Sequence, residues 1–485
     1  MKLSELVKNI VINEIANNSD IEVTGISYNS KTIQKGEIFV CLKGEHSDGH
    51  EFAKMAVENG AAALFCEKYM DLPIPQIIVD STRQKIADLA ASFYQYPSKK
   101  LNLIGVTGTN GKTTVTHLVQ RIIEKAEQKC SLIGTLGYKL SSKDTYHDAK
   151  HTTPQAPELQ KTLNKIYEQK ISYVAMEVSS HALEQNRVGC CDFDGAVYTN
   201  LTQDHLDYHI TMNNYFEAKS LLFKNLNKNG FAVINNDDEY SDRFKSVVSD
   251  GIKIFTYGIK NTADIVAKNI DFSIHGAQFD CIVNGVLKKV NLQMNGMFSV
   301  YNALAALATG IALGFDADIC ISALEETRSV DGRFEIVCKK PLVIVDYAHT
   351  PDGLENVLKA ARELTPQGSN LICLFGCGGD RDATKRPKMG KIADENADIV
   401  VVTSDNPRSE DPQLIISDIL AGIKTVNTQK VYVEPDRGTA ISILKNIANE
   451  DDVVVLAGKG HEDYQILKDE TVHFDDREEA KKVFG

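Results

Sequence analysis

Leu101-Asn102-Leu103-Ile104-Gly105-Val106-Thr107-Gly108-Thr109-Asn110-Gly111-Lys112-Thr113-Thr114 is the stretch that decides the fold. It opens as an apolar run of strand length and turns into a glycine-rich loop at Gly108. Beyond it, Val115, Leu118, Val119, Ile122 and Ile123 recur at i, i+3, i+4, i+7 and i+8, one face of a helix. Strand, loop and helix in that order form a phosphate cradle. Glycines let the backbone turn tightly enough for several N–H groups to converge on an anion. The helix N-terminus adds partial positive charge. Lys112 is placed to reach the β- and γ-phosphates of a nucleotide, and Thr113 to give an oxygen to Mg²⁺. The loop is a GxxGKTT variant, because residue 106 of the longer GxxxxGK[ST] pattern is Val. The bland alternative is a glycine turn before an ordinary helix; the strand before it and the helix face after it weigh against that.

The same grammar recurs outward from this stretch. Apolar strands at 173–177, 196–199, 342–346, 371–375, 398–402 and 452–457 each end in a polar or glycine-rich loop. Helical patterns lie between several of them, which predicts mostly parallel sheets flanked by helices. Ligands in such sheets bind at the carboxyl ends of strands. Residues 21–96 mix short β-type runs (38–42, 62–65, 77–79) with helical stretches near 50–59 and 82–95. The segment 97–100 reads as a linker. A second boundary falls at Asp331-Gly332-Arg333, after an alanine-rich helix over 301–313. The expected architecture is therefore α/β in three domains, with boundaries 1–98, 99–331 and 332–485. The first is a smaller α/β domain, the second a P-loop mononucleotide-binding sheet, and the third a new strand set.

A chain of 485 residues is too long for one ordinary core. Its 43% hydrophobic and 25% charged residues are those of a globular protein. The formal charge of −13 argues against a nucleic-acid binder. It does not forbid an anionic substrate, since local cationic loops can hold one. Glu5, Lys8 and Glu14 break any N-terminal apolar core, so no signal peptide is expected. The longest apolar run, 303–315, is too short to span a bilayer, so no membrane partner is expected. Ten cysteines without zinc-site spacing read as reduced cytoplasmic thiols, mostly core residues.

Two polar clusters follow strands near the phosphate loop. One is Glu177-Val178-Ser179-Ser180-His181; the other runs from Asn200 through Asp204-His205-Leu206-Asp207-Tyr208-His209. A carboxylate and an imidazole at neighbouring strand ends suit a divalent ion held beside a nucleotide. Glu177 and His205 are the candidates, with His209 as a structural brace. Lys219 taken alone reads as a solvated helix lysine.

Assembled in order, these motifs resemble the Mur ligase family over nearly the whole chain. The resemblance rests on Tyr28-Asn29-Ser30, Gly108–Thr114, Thr152-Thr153-Pro154, Glu177–His181, Gln185-x-Arg187, Asp204–Asp207 and Lys219. It continues through Tyr301-Asn302, Asp331–Glu335, Asp346–His349, Gly376–Asp382, Asp405-Asn406-Pro407-Arg408 and Gly458–Glu462. One departure is Tyr28-Asn29-Ser30-Lys31, where the family often has Asp-Ser-Arg.

The resemblance implies a UDP-binding first domain, an ATP-binding second domain and a Rossmann-like, amino-acid-binding third domain. It implies an ATP- and Mg²⁺-dependent amide ligase of peptidoglycan precursor synthesis, cytoplasmic and monomeric. The substrates it implies are UDP-N-acetylmuramoyl-L-alanyl-D-glutamate and meso-diaminopimelate. Lysine or lanthionine as the amine, or a folylpolyglutamate synthase-like reaction, are the alternatives. Gly108, Thr109, Asn110, Gly111, Lys112, Thr113 and Thr114, with Asn302, Arg333 and Asp346, would hold ATP. Thr113, Glu177, His205 and a carbamylated Lys219 (N6-carboxylysine) would hold the metal. Tyr28, Ser30 and His46 would lie near the uridine diphosphate. Thr152, Thr153, Ser179, Gln185 and Arg187 would contact the muramoyl dipeptide. His349 or another nearby base would take the proton from the attacking amine.

The C-terminal loops would read that amine. Pro407 stiffens its turn and Arg408 presents a planar fork suited to a carboxylate. Arg381 offers a second cation, and Glu462 an acid for a distal ammonium. Asp405, Asn406 and Gly458 complete the set. A motor-type ATPase lacks support because no strand ends in Asp-Glu, and a dinucleotide oxidoreductase because no GxGxxG follows an early strand.

Overall fold

Helix Lys112–Lys125 shows how the apolar pattern becomes structure. Val115, Leu118, Val119, Ile122 and Ile123 are all buried, in one core with Leu304, Leu307 and Ala308 of helix Met297–Ala312. Each such burial contributes about 1.5–3 kcal/mol, so packing of this face, more than intrinsic propensity, holds the helix. Truncating Leu118 to Ala would open a cavity and cost about 2–5 kcal/mol.

The structure, a computed structural model, describes residues 1–44, 47–147, 151–425 and 428–485. Three main sheets carry the chain. The first has five strands in the spatial order Glu14–Ala16, Gln76–Ile78, Ala63–Cys66, Glu37–Val40 and Gly25–Ser27. The second has ten. At its centre Asn102–Thr107 lies between Phe193–Tyr198 and Tyr173–Glu177, all parallel. The third has six, with Val453–Ala457 between Leu342–Asp346 and Leu371–Phe375, again parallel. The α/β fold class expected from the sequence is what the chain adopts.

Register sets the sites. Val106 pairs with Glu177 and Thr107 with Tyr198, so the phosphate loop, Glu177 and the segment after Tyr198 leave the sheet at one level. In the third sheet Ala457 pairs with both Asp346 and Phe375, and Phe375 with Val402. The loops starting at Tyr347, Gly376, Thr403 and Gly458 therefore share one edge, the carboxyl edge where ligands bind.

Three local expectations need correcting. Residues 97–100 are no free linker: Pro97 and Ser98 are buried in a short turn, and Ser98 Oγ donates to the Cys190 carbonyl at 3.2 Å. The helix read over 50–59 divides into a tight turn Gly49–Phe52, capped by Asp48, and a helix Ala53–Glu58. The second sheet is less parallel than expected. Strands Ile265–Ser273, Gly276–Val283 and Val286–Leu292 add an antiparallel meander to its edge. Among the described residues no helix is long and apolar enough to cross a membrane. All ten cysteines are unbonded and only Cys190 is not fully buried.

Candidate active site

A cavity of about 480 Å³ opens where the second and third sheets meet. One wall is the phosphate loop with Glu177, His205 and Asn302; the other carries Arg333, Asp346, Tyr347 and His349. Direct contacts tie the walls. Asn110 Nδ2 donates to Asp352 Oδ2 at 2.7 Å, and Arg333 Nη2 to Thr113 Oγ1 at 3.0 Å.

Two glycines shape the phosphate loop. Gly108 has φ +153°, and a Cβ there would lie 1.9 Å from Thr199 Oγ1. Gly111 has φ +87° and caps the helix; a Cβ would lie 2.4 Å from Asn302 Oδ1. No side chain fits at either position. Thr109 Oγ1 donates to the Thr202 carbonyl, and the Asn110 N–H to Asn200 Oδ1. Thr114 is buried in the first turn. Lys112 Nζ donates to the Gly108 and Thr109 carbonyls at 2.8 Å each. Burial pulls the Lys112 ammonium below its ordinary pKa. A phosphate arriving here would restore the charge that burial opposes.

Glu177 ends its strand buried beneath this loop. It accepts from Thr113 Oγ1 at 3.0 Å, from the Thr135 N–H at 2.8 Å and from Thr135 Oγ1 at 3.0 Å. A hydroxyl and a carboxylate in contact are a hard-oxygen donor pair, suited to a small divalent cation that keeps phosphate and water ligands. Among the described residues no group of three or more His, Cys, Asp or Glu side chains could hold a metal.

His205 and Lys219 stand on the other flank. His205 is in the left-handed region at φ +54°, with Nε2 3.2 Å from Asp204 Oδ2. Burial drives its imidazole down to about 3 against the pull of Asp204. Burial pushes the Asp204 carboxyl up, but His205, Lys385 and His349 together hold it at about 2. His209 is a brace, buried with Nε2 2.9 Å from Ser180 Oγ. Lys219 is no solvated lysine. It is buried, donates to the Gly108 carbonyl at 2.7 Å and lies 4.6 Å from the Tyr215 ring centre. Burial first, then the Lys112 charge, hold its amine well below the ordinary pKa.

The groups expected at the dipeptide form one network. Thr153 Oγ1 donates to the Glu177 carbonyl at 2.9 Å, and Arg187 Nη1 to the Thr153 carbonyl at 3.0 Å. Arg187 also holds Gln185 Oε1 at 2.8 Å. Ser179 caps helix Ser180–Glu184, and Thr152 accepts from Thr135 Oγ1. Tyr28, which follows strand Gly25–Ser27 of the first sheet, donates to Glu158 Oε1 at 2.8 Å. Ser30 is buried beside Met55 and does not join the network. His46 lies outside the described residues.

The third group surrounds Asn406. Asn406 Nδ2 donates to Glu462 Oε2 at 2.8 Å, while its Oδ1 accepts from the Ile466 N–H at 2.9 Å. Asp405 is buried, and Gly458 at φ +113° passes beside its carboxylate. Pro407 places Arg408 at φ +54°, with Nη1 donating to the Gly379 carbonyl at 2.8 Å. Arg381 lies across Gly378 from Arg408, and its Nη1 donates to the Asp380 carbonyl.

The cavity and the Asn406 group are separate but adjacent. Tyr347, which lines the cavity, packs its ring against His461 at 4.9 Å and against His349 at 4.7 Å between centres. Burial lowers His349 to about 4, so its imidazole is neutral at pH 7. Burial raises the Asp346 carboxyl to about 6 against Arg333, and Oδ2 accepts from the Phe334 N–H at 2.6 Å.

Sequence reasoning assigned no role to Thr135, Tyr347, Asp352 or Lys459. Tyr347 and Lys459 stand inside motifs quoted for the family, which was the available signal. Nothing in the chain marks Thr135 or Asp352; only folding brings them to Glu177 and Asn110.

A phosphate loop facing the strand-end loops of a second sheet across a shared cavity is the layout of a nucleotide-using enzyme whose second sheet offers another binding face. Comparison with known proteins gives the class a family. The Mur ligase middle domain matches residues 106–310, the Mur ligase glutamate ligase domain 332–460 and the Mur ligase catalytic domain 22–94. A UDP-N-acetylmuramoyl-L-alanyl-D-glutamate–2,6-diaminopimelate ligase of Bacillus velezensis is 46% identical, over 100% of this chain and 99% of its own. The enzyme of the same name from Syntrophomonas wolfei is 44% identical over the same shares. A solved structure of a ligase of that name is 34% identical with a TM-score of 0.69, covering 100% of this chain and 99% of that one. A MurF ligase from Thermotoga maritima in complex with ADP shares the fold, at 19% identity and a TM-score of 0.67 over 95% and 96% of the chains. The chain belongs to the Mur ligase family and is an ATP-dependent ligase forming carbon–nitrogen bonds.

Proposed function

We propose that this ligase adds meso-diaminopimelate to UDP-N-acetylmuramoyl-L-alanyl-D-glutamate in peptidoglycan precursor synthesis. The observation that carries this reading is the Asn406–Glu462 contact beside Arg408, one ring pair away from the nucleotide cavity. An acid and a guanidinium on one loop system match a far end bearing both ammonium and carboxylate. Lysine lacks that carboxylate. The full-length relatives named for the diaminopimelate reaction support the same choice.

ATP would lie in the cavity, its phosphates on the 108–114 loop, with Asn302 and Arg333 on the nucleotide and Asp346 on its ribose. Lys112 would guide the γ-phosphoryl group to the glutamyl side-chain carboxylate of the dipeptide, so that an O–P bond forms to that carboxylate as the bond to the β-phosphate breaks, giving an acyl phosphate and ADP. Thr152, Thr153, Ser179, Gln185 and Arg187 would fix that carboxylate's approach. The uncharged amine of diaminopimelate would then attack the acyl carbon, phosphate would leave, and His349 or a nearby base would take the proton. Thr113 and Glu177 would hold one Mg²⁺, and His205 with a carbamylated Lys219 a second on the far flank; when bound, the ions would supply charge neutralisation for the phosphates. The buried Lys219 amine suits that modification. Its uncharged form adds CO₂, forming an N–C bond and releasing one proton.

Tyr28, Ser30 and His46 remain the proposed uridine diphosphate contacts, and the domain boundaries remain 98/99 and 331/332. We keep the protein as a cytoplasmic monomer without nucleic-acid or membrane partners. The charge of −13 weighs against nucleic acid, and ten unbonded cysteines fit a reducing compartment. The test is purified protein with ATP, Mg²⁺ and the UDP-muramoyl dipeptide, offered diaminopimelate, lysine and lanthionine separately. Phosphate release that needs both dipeptide and diaminopimelate bears the reading out. Release with lysine alone moves the protein to the lysine-using alternative, and release on a folate substrate to the folylpolyglutamate one.

A further inference from the structure

The turn Gly458-Lys459-Gly460 buries a lysine completely. Gly458 has φ +113° and Gly460 φ +54°; a Cβ on Gly460 would lie 2.6 Å from Tyr347 Cβ. These two left-handed residues turn the side chain between them inward, and the Glu462 N–H closes the turn on the Lys459 carbonyl at 2.9 Å. Lys459 Nζ then lies 3.3 Å from Asn406 Oδ1, 3.3 Å from Glu462 Oε2 and 3.8 Å from Asp405 Oδ1. The last distance is too long for a hydrogen bond, and Asp405 Oδ1 is buried without a partner.

Charge balance gives this arrangement a meaning. Counted formally, the buried carboxylate of Asp405, the half-buried carboxylate of Glu462 and the buried ammonium of Lys459 sum to one negative charge. A buried uncompensated charge is costly, so the cluster is built to be completed by one more cation. Without the lysine, Glu462 would face burial and the Asp405 carboxylate with no cation opposing them, and its carboxyl would be pushed further up. We propose that Lys459 is a positioning residue of the amino-acid site. It keeps Glu462 ionised and aimed, so that the cluster accepts a single ammonium from the incoming diamino acid.

The other charged and titratable groups facing Glu462 fit this account. Arg437 is neutralised by Asp476 in a fully buried pair at 2.6 Å. Tyr347 and Tyr464 are held in their neutral forms, both pushed up by burial. Burial and then Asp405 raise the Glu462 carboxyl above its ordinary range, with Lys459 and Asn406 opposing them. Among the described residues Lys459 is the one cation that forms an ion pair with either acid; Arg437 acts on both from behind its own pair, and Arg408 of the same loop bonds the Gly379 and Asn406 carbonyls. Asn406 braces the set by touching Glu462 with its amide nitrogen and Lys459 with its amide oxygen.

The inference rests on the proposed amine site, and the test separates the two. Lys459→Met and Lys459→Arg are compared with the unaltered protein for KM of the amine, KM of the dipeptide and kcat, from about pH 6 to about pH 9. Lys459→Met should raise the amine KM by about 10- to 100-fold near neutral pH, with the dipeptide KM changed less than about 2-fold. The acidic limb of kcat/KM for the amine should move to higher pH by about one unit or more, because Glu462 then needs a higher pH to ionise. Lys459→Arg should return the limb to its original position. An unmoved limb, or equal losses for amine and dipeptide, overturns the proposal.

If Lys459→Met folds but is too unstable to assay, the thermal stability of Lys459→Met/Glu462→Gln against that of Lys459→Met decides. Removing the excess charge should restore part of the lost Tm, whereas a further drop overturns the proposal. If the amine proves to be lysine instead of diaminopimelate, the same limb shift is read with lysine. The substrate reading then fails while the role of Lys459 is still measured.

Discussion

Arg333 and Thr113 meet at 3.0 Å across the seam between two sheets. Arg333 leads into strand Glu335–Lys339 of the third sheet, and Thr113 begins the helix that follows the phosphate loop. Thr113 Oγ1 in turn touches Glu177, so one polar chain links guanidinium, hydroxyl and carboxylate. The guanidinium also lies 4.5 Å from the Tyr347 ring centre, and its Nε is buried with no partner. A buried donor left unpaired is worth about 1–3 kcal/mol to any acceptor that reaches it.

Arg333→Met should therefore lose both the seam contact and a donor for the nucleotide. The expected loss in kcat/KM for ATP is about 10²- to 10³-fold, as for removal of a single buried charge-stabilising donor. Steady-state kinetics with ATP varied checks it. A change below about 3-fold would mean that Arg333 only glues the domains together.

Arg408→Ala should lower kcat/KM for diaminopimelate by about 10²-fold or more, since a buried carboxylate would lose its bidentate partner. Use of lysine, which has no far carboxylate, should change little. Parallel assays with both amines decide the matter, and equal losses remove Arg408 from the recognition of the far end.

How far the sequence could be read depended on separation along the chain. Strand Asn102–Thr107, its loop and the buried face of helix Lys112–Lys125 form from neighbours, so period and glycine placement disclosed them. The partners of Asn110 and Thr113 lie 242 and 220 residues away, at Asp352 and Arg333. No local pattern records such pairings. Lys219 is the sharper case. A lysine on a helix looks solvated, and only the packing of its helix beneath the loop makes it a buried amine on the Gly108 carbonyl. The antiparallel strands at 265–292 went unread because their outer faces are polar and hairpin residues blur the apolar rhythm.

Glu177→Gln keeps the shape but removes the charge beside Thr113. The amide nitrogen would face Thr135 and Thr113 donors that now point at carboxylate oxygens. The Mg²⁺ concentration for half-maximal activity should rise by about 10-fold or more, and kcat fall by about 10²-fold. A Mg²⁺ titration of phosphate release measures both. An unchanged midpoint would move the ion away from Glu177.

Asp346 makes stability depend on pH in a direction opposite to that of most carboxylates. Its ordinary pKa is 3.8, and burial raises it to about 6 in the folded protein. The folded chain thus holds a proton that the unfolded chain has released between those values. Stability from this group is complete below about pH 4 and is lost as pH rises through about 6. At 1.36 kcal/mol per unit the loss is on the order of 3 kcal/mol. Asp346→Asn should remove this dependence. The Asn oxygen can still accept from the Phe334 N–H, which now bonds to Asp346 Oδ2. Loss of the negative charge beside Arg333 offsets part of the gain, so about 1–3 kcal/mol of added stability is expected at pH 7. Urea unfolding of both proteins from about pH 4 to about pH 7 isolates the difference from all other titrating groups. Parallel pH curves for the two proteins would show that the Asp346 carboxyl ionises in the fold as it does in water. Activity is expected to fall in the same variant, because the proposed ribose contact would lose its charge. A more stable yet slower enzyme is the combination that separates this reading from simple damage to the fold.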